Sequence, residues 1–320
     1  MSRRTLTSLT TLLLVLACGC SHIAIWAAPG KEASTARTAL ARKADELFWT
    51  TLNGGSYDDI PAALSAMTAA YLDDPNDAVT AARVGWLRIW RIAERARLPS
   101  APPGLADDAA LARKYFEEAV RLNPSDGRYR GFYASALMLE GAIHKDEKLR
   151  RQGYFALREA VAAWPEFNLF TAGYVASGQP HDSERFHDGL AAQWRALDTC
   201  LGETVDRHRL DYARFLPRQT TDGPKRVCWN SAIAPHNVEG FLLNLGDMLV
   251  KAGEPERAIV VYGNARHAAE YATWPYRAVL EDRMQNAARY VEPFRATAPA
   301  PEGPAIMFQS RFACVACHER

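Results

Sequence analysis

The residues best suited to chemistry are Cys314, Cys317 and His318, in the run Cys314-Val315-Ala316-Cys317-His318, which only Glu319 and Arg320 follow. Two thiols three positions apart, with an imidazole directly after the second, are what covalent attachment of a c-type haem uses. The thiols add across the vinyl groups as thioethers, and the histidine becomes the proximal axial ligand of the iron. The same residue types also admit a redox dithiol, half of a zinc site, or coincidence. A zinc site wants four ligands, and no second Cys or His pair stands at short spacing nearby. A thioredoxin-like pair opens a helix after a strand, whereas this one sits at a chain end. The expected cofactor is therefore one covalent haem c, with His318 as its metal ligand. For the sixth iron position the candidates are Met307, close in sequence, and histidines elsewhere in the chain, chiefly His236 in a loop and His267 on a helix.

Haem attachment of this kind takes place outside the cytoplasmic membrane, so an export signal is expected at the other end. Arg3 and Arg4 precede an apolar run over residues 6–17, a length short for a membrane span and suited to a signal peptide. Val15-Leu16-Ala17-Cys18 resembles the bacterial lipoprotein box. The resemblance implies a signal peptide over 1–17, lipidation of Cys18 (Cys20 being the alternative) and a polar tether over 18–36. An ordinary signal peptide, or an uncleaved anchor running through Trp26, places the chain in the same compartment: the periplasmic side of a bacterial membrane, lipid-anchored or signal-anchored.

A net charge of +1 with no basic stripe excludes nucleic acid as an expected partner. The remaining pair, Cys200 and Cys228, faces an oxidising compartment if the chain is exported. A disulfide is then one expectation and two separate buried thiols the other. The sequence holds no Gly-rich phosphate loop, no G-x-S-x-G elbow and no His-Glu-x-x-His pair, so catalysis would have to run through the haem itself.

Helix signals dominate what must position these residues. Leu40, Ala44, Leu47 and Phe48 repeat at helical spacing between Arg37 and Leu52, and Asn53-Gly54-Gly55-Ser56 ends that helix. A second helix starts at Pro61 and stops at Asp74-Pro75, and a third spans Ala78 to Arg97. Residues 170–187 read as a loop preceding a helix from Glu184 to about Val205. The run 293–313, with Pro299, Pro301 and Gly303, reads as a semi-rigid linker. The fold class is all-α.

Leu242, Leu245, Gly246 and Leu249, then Ala258, Tyr262 and Ala265, stand where a tetratricopeptide repeat has its W-x2-L-G-x2-Y and second-helix small and aromatic positions, with leucine for both aromatics of the first helix. Ala112, Phe116 and Ala119 before Asn123-Pro124, and Leu157 and Ala160 before Trp164-Pro165, are similar to second helices of such units. The resemblance to the tetratricopeptide superfamily implies an alpha-solenoid over 37–292 whose concave face takes a peptide, a protein or another part of the same chain. It also implies that Leu245 and Tyr262 fill the groove formed with the next hairpin. In sum, the sequence is that of a membrane-tethered, exported haem protein. Its expected work is electron transfer with a redox partner protein docked on the repeat body, as a carrier or binding protein rather than an enzyme. Two alternatives remain: a periplasmic interaction scaffold without redox activity, and a haem-dependent peroxide or small-gas enzyme.

Overall fold

The computed structural model describes residues 23–100, 103–296 and 303–320. The expected signal peptide 1–17 and the lipidation candidate Cys18 lie outside the described residues. Residues 23–26 form a helical turn within a first unit, Met1–Ala33, on which Ile23, Ile25 and Trp26 are exposed. The second unit is Ser34–Arg320.

All regular structure among the described residues is helical, so the fold is all-α. In chain order the helices are α1 (Ala39–Asn53), α2 (Ile60–Asp73), α3 (Ala78–Ala93), α4 (Leu105–Leu122), α5 (Gly127–Ile143), α6 (Glu147–Ala163), α7 (Pro165–Ala176) and α8 (Glu184–Leu201). They continue with α9 (Asn237–Ala252), α10 (Pro255–Asn264), α11 (Arg277–Asn286), α12 (Val291–Arg295) and α13 (Val315–His318). Short polar side chains set the starts. Thr38, Asp77, Asp126, Asp146 and Ser183 each accept a bond from a first-turn amide of α1, α3, α5, α6 and α8. A cap of this kind stabilises a helix by roughly 1 kcal/mol. Gly202 and Gly253 end α8 and α9 in the left-handed region, at φ 76° and 91°, where a side chain is disfavoured.

Consecutive helices from α1 to α8 pack on one another, as do α9 and α10. Two of these hairpins use one device. A β-carbon at Gly85 of α3 would sit 2.8 Å from the Phe116 ring of α4, and one at Gly246 of α9 would overlap the Tyr262 ring of α10. The missing side chain thus makes a seat for an aromatic of the facing helix. Tyr262 thus packs against Gly246 within its own hairpin, and its hydroxyl donates to Asp247 at 2.6 Å.

Three sequence expectations need correction. Residues 170–176 are helical, the second half of α7, because Gly173 serves close packing: a β-carbon there would meet the Gln193 side chain and the Gly189 carbonyl of α8. The expected tether does not run free to residue 36. Ser34 donates its amide to Asn76 (3.0 Å) and its hydroxyl to Asp74 (2.9 Å), and Arg37 pairs with Asp45 and with Asp77. Of the expected linker 293–313, residues 297–302 lie outside the described residues, and the described parts are docked. Phe294 of α12 is buried, and beyond residue 302 so are Ile306, Met307, Ser310 and Ala313.

The core falls into three clusters. One joins α1, α2 and α3 around Phe48, Ile60 and Met67; one joins α3, α4 and α5 around Phe116 and Tyr129; the largest runs from Trp194 through α9 and α10 to Phe294. The C-terminal segment links the first and the last. Val315 belongs to the first cluster, whereas Ala316, Cys317, Ile306 and Met307 belong to the largest. Filling the Gly246 seat tests this packing: Gly246→Ala should cost about 1 to 3 kcal/mol, the usual penalty of overpacking, read as a lowered urea midpoint with an unchanged slope. A midpoint equal to that of the parent would show that the seat is not needed.

Candidate functional site

The motif is built on a one-turn helix. Cys314 is the N-cap residue of α13 and Cys317 and His318 lie within it. So short a helix cannot satisfy its own first amides, and a distant carboxylate does so instead. Glu94, fully buried just past α3, accepts from the Cys314 amide at 2.7 Å and the Val315 amide at 3.0 Å across 220 and 221 residues of sequence. Its other oxygen takes the Arg97 guanidinium at 2.9 Å, and Arg97 donates as well to the Arg311 carbonyl at 2.7 Å. Burial raises the Glu94 carboxyl above the usual range, against the lowering pull of the two amides and Arg97.

Upstream, Asp247 of α9 does the same for the segment's entry. It accepts the Met307 amide at 2.7 Å and pairs with Arg283 at 3.3 Å. Downstream, the carbonyls of the motif are taken up one by one. Trp274 donates its indole N–H to Ala316 (2.8 Å), the His236 amide donates to Cys317 (3.1 Å), and Tyr174 donates its hydroxyl to Ala313. The Arg320 amide donates to Asn53 of α1, and the Glu319 carboxylate accepts the Tyr276 hydroxyl.

Both motif thiols are free. Cys317 is 7% exposed, and its sulfur lies against the α9 backbone where a β-carbon at Gly240 would overlap it. Cys314 is half-buried. Burial first, and then the charges of Glu94 and Glu239 respectively, push both thiols up: Cys314 well above its usual value and Cys317 to about 12. Reactive and metal-binding cysteines need the opposite shift, toward thiolate. A thioether sulfur carries no charge, so this environment suits it. Among the described residues no group of three or more His, Cys, Asp and Glu is placed to hold a metal ion.

His318 is half-buried, and its Nδ1 lies 2.8 Å from the Ile233 carbonyl. A carbonyl only accepts, so Nδ1 carries the proton and Nε2 keeps its lone pair, the form in which imidazole binds iron. Burial lowers the His318 pKa, with the Ile233 carbonyl opposing. Beside the motif runs a row of half-buried rings. Phe170 stacks on Tyr174 (5.4 Å) and meets Phe241 (5.8 Å), Tyr174 meets Phe308 (5.2 Å), and Phe241 follows Gly240. These rings offer an apolar wall of the kind a porphyrin packs against. The donor set therefore fits haem c, while the packing at Cys317 is closed and a porphyrin bonded there has to part the groups that cover it. A hollow of about 350 Å³ is walled by Asn230, Ser231, Ala232, Pro235, Glu270 and Arg320.

The sixth-ligand candidates separate. His236 is buried, bonded to Cys317 through its amide and to Glu239 through Nδ1 at 3.1 Å. Met307 is buried in the largest cluster, and His267 is exposed on the turn after α10, with no hydrogen bond to the motif. Cys200, in the last turn of α8, is disulfide-bonded to Cys228, 28 residues on. The bridge closes the loop that leads into Asn230 and Ile233; a loop of that length contributes about 3 kcal/mol in the chain-entropy account. Sequence reasoning missed Glu94, Asp247 and Tyr174, which no local pattern marks. Gly240 beside Phe241 had a signal, a glycine in a helix with no turn to make.

Compared with known protein families, curated proteins and solved structures, the chain matches none.

Two substitutions test the Glu94 clamp. Glu94→Leu strands two buried amides, each costing about 1 to 3 kcal/mol, and should lower the denaturation midpoint accordingly. Glu94→Gln keeps an acceptor without the charge. Because the folded pKa of Glu94 is raised, its protonation favours the folded state. Acidification from pH 7 toward the ordinary value of 4.5 should therefore stabilise the parent relative to Glu94→Gln. Urea titrations of both proteins at pH 7 and pH 5 check this, and a stability gap that stays constant or moves the other way would contradict it.

Proposed function

We propose that this chain is an exported, membrane-tethered carrier of one covalent haem c, held by thioethers to Cys314 and Cys317 and ligated by His318, which exchanges electrons with a protein partner. One observation carries the reading: two free thiols one helical turn apart, followed by an imidazole whose Nδ1–H is committed to the Ile233 carbonyl and whose Nε2 is left for iron. Bound there, haem supplies an iron that gains and loses single electrons. The chain's own part is to fix the two sulfurs through Glu94 and Gly240, to set the imidazole tautomer, and to bring the Phe170, Tyr174, Phe241 and Phe308 rings against the porphyrin edge. The hairpins that carry the site are read as tetratricopeptide-like, on the Gly85 with Phe116 and Gly246 with Tyr262 seats.

Tethering rests on the N-terminal sequence, with the lipid on Cys18. No helix among the described residues is long and apolar enough to cross a membrane. The raised thiol pKa values speak against a thiolate-based redox dithiol.

The test is a pyridine haemochrome spectrum of protein made together with haem-attachment machinery, followed by acid-acetone extraction. The expected result is a c-type spectrum retained through extraction in the parent, and loss of extraction-resistant haem in Cys317→Ala. A parent that yields no covalent haem would overturn the proposal.

A further inference from the structure

The Nδ1 side of His318 is held by a loop whose two ends are tied to one buried carboxylate, Glu239, and whose Asn230 end donates as well to Glu270 at 2.8 Å. Glu239, in the first turn of α9, is fully buried. One of its oxygens accepts His236 Nδ1–H at 3.1 Å and the other accepts Asn230 Nδ2–H at 2.8 Å. Residues 230 and 236 are the two ends of the loop, so the carboxylate ties it shut. Between them, Ser231 and Ala234 bond each other (Ser231 amide to Ala234 carbonyl at 3.0 Å, Ala234 amide to Ser231 Oγ at 3.2 Å). The Asn230 side-chain carbonyl accepts the Val238 amide at 2.8 Å, which fixes the orientation of that amide group.

A loop held in this way presents three groups to the motif. The Ile233 carbonyl accepts His318 Nδ1–H at 2.8 Å, the Ala232 carbonyl accepts the Arg320 guanidinium at 3.0 Å, and the His236 amide donates to the Cys317 carbonyl at 3.1 Å. The Glu239 charge also reaches Cys317, whose thiol it helps to push up. We infer that Glu239 is a positioning residue for His318: through Asn230 and His236 it aims the Ile233 carbonyl at the imidazole, and so fixes the proton on Nδ1 and the lone pair on Nε2. Among the described residues no Lys or Arg is bonded to this carboxylate, and burying a carboxylate is costly. Two donors converging on two oxygens explain why an amide does not replace it. Glutamine offers one acceptor and one N–H₂, and would either set a donor against the fixed Asn230 donor or force His236 into its other tautomer.

The consequence for iron rests on the haem reading above; the tautomer does not. In full-length protein without haem, at pH 8 where His318 is neutral, long-range ¹H–¹⁵N correlation spectra should show His318 as the Nδ1–H tautomer in the parent. In Glu239→Gln it should be a mixture of both tautomers, with the circular dichroism unchanged. In haem-loaded protein the same substitution should shift the reduction potential positive, because an imidazole that loses its acceptor is a poorer electron donor to iron. Asn230→Ala, which cuts one of the two ties from an accessible position, should move both readouts in the same direction, and it keeps the test decisive if Glu239→Gln does not fold. A His318 that stays wholly Nδ1–H in these variants would overturn the inference. A parent that takes no haem leaves the tautomer measurement standing and counts only against the proposed function.

Discussion

The structure depends on the seating of residues 303–320 inside the helical body, and that seating depends on two buried carboxylates. A segment that enters a packed helical protein without joining a long helix brings backbone amides with no partners, and each is costly to bury unsatisfied. Asp247 takes the amide of Met307, and Glu94 takes those of Cys314 and Val315. With the amides satisfied, consecutive side chains drop into different cores, Val315 toward α1 to α3 and Ala316 with Cys317 toward α9. The tail therefore joins the start of the helical body to its end.

Placing the motif at this junction gives the site its chemistry. Burial beside carboxylates pushes both thiols up, and the donors to the surrounding carbonyls, Trp274, His236 and Tyr174, come from separate elements, while His318 in turn donates to the Ile233 carbonyl. A cofactor bonded there would be coupled to both halves of the body, so its retention and its electronics would answer to packing far from the sulfurs.

The helical body uses glycine as a packing residue more than as a turn residue. Gly85, Gly173, Gly240 and Gly246 all lie inside helices, where each costs about 1 kcal/mol of intrinsic helicity relative to alanine. Each repays that by admitting a neighbour: Phe116, Gln193, Cys317 or Tyr262. The disulfide between Cys200 and Cys228 works at a long irregular stretch, where helix packing offers little hold.

The sequence by itself determined the all-α class, the ends of α1 and α2, the α9 and α10 hairpin with its Gly253 turn, and the residues of the motif. All of these follow from interactions that span a few positions: helical periodicity, caps, a glycine beyond a helix end, thiols three apart. It also carried the cysteine pair, but only as one of two possibilities. Only the tertiary structure decided that Gly173 closes a helix contact instead of breaking a helix, and that the described part of 293–313 beyond residue 302 docks instead of linking. Proline and glycine density is the same in a linker as in an extended segment pressed into a groove; what separates the two is whether Ile306 and Met307 find a core, and that core lies on α9. The same holds for Glu94, an unremarkable acid at the end of α3 in sequence and the cap of α13 in space, because a helix of one turn must borrow its cap from wherever the chain brings a carboxylate.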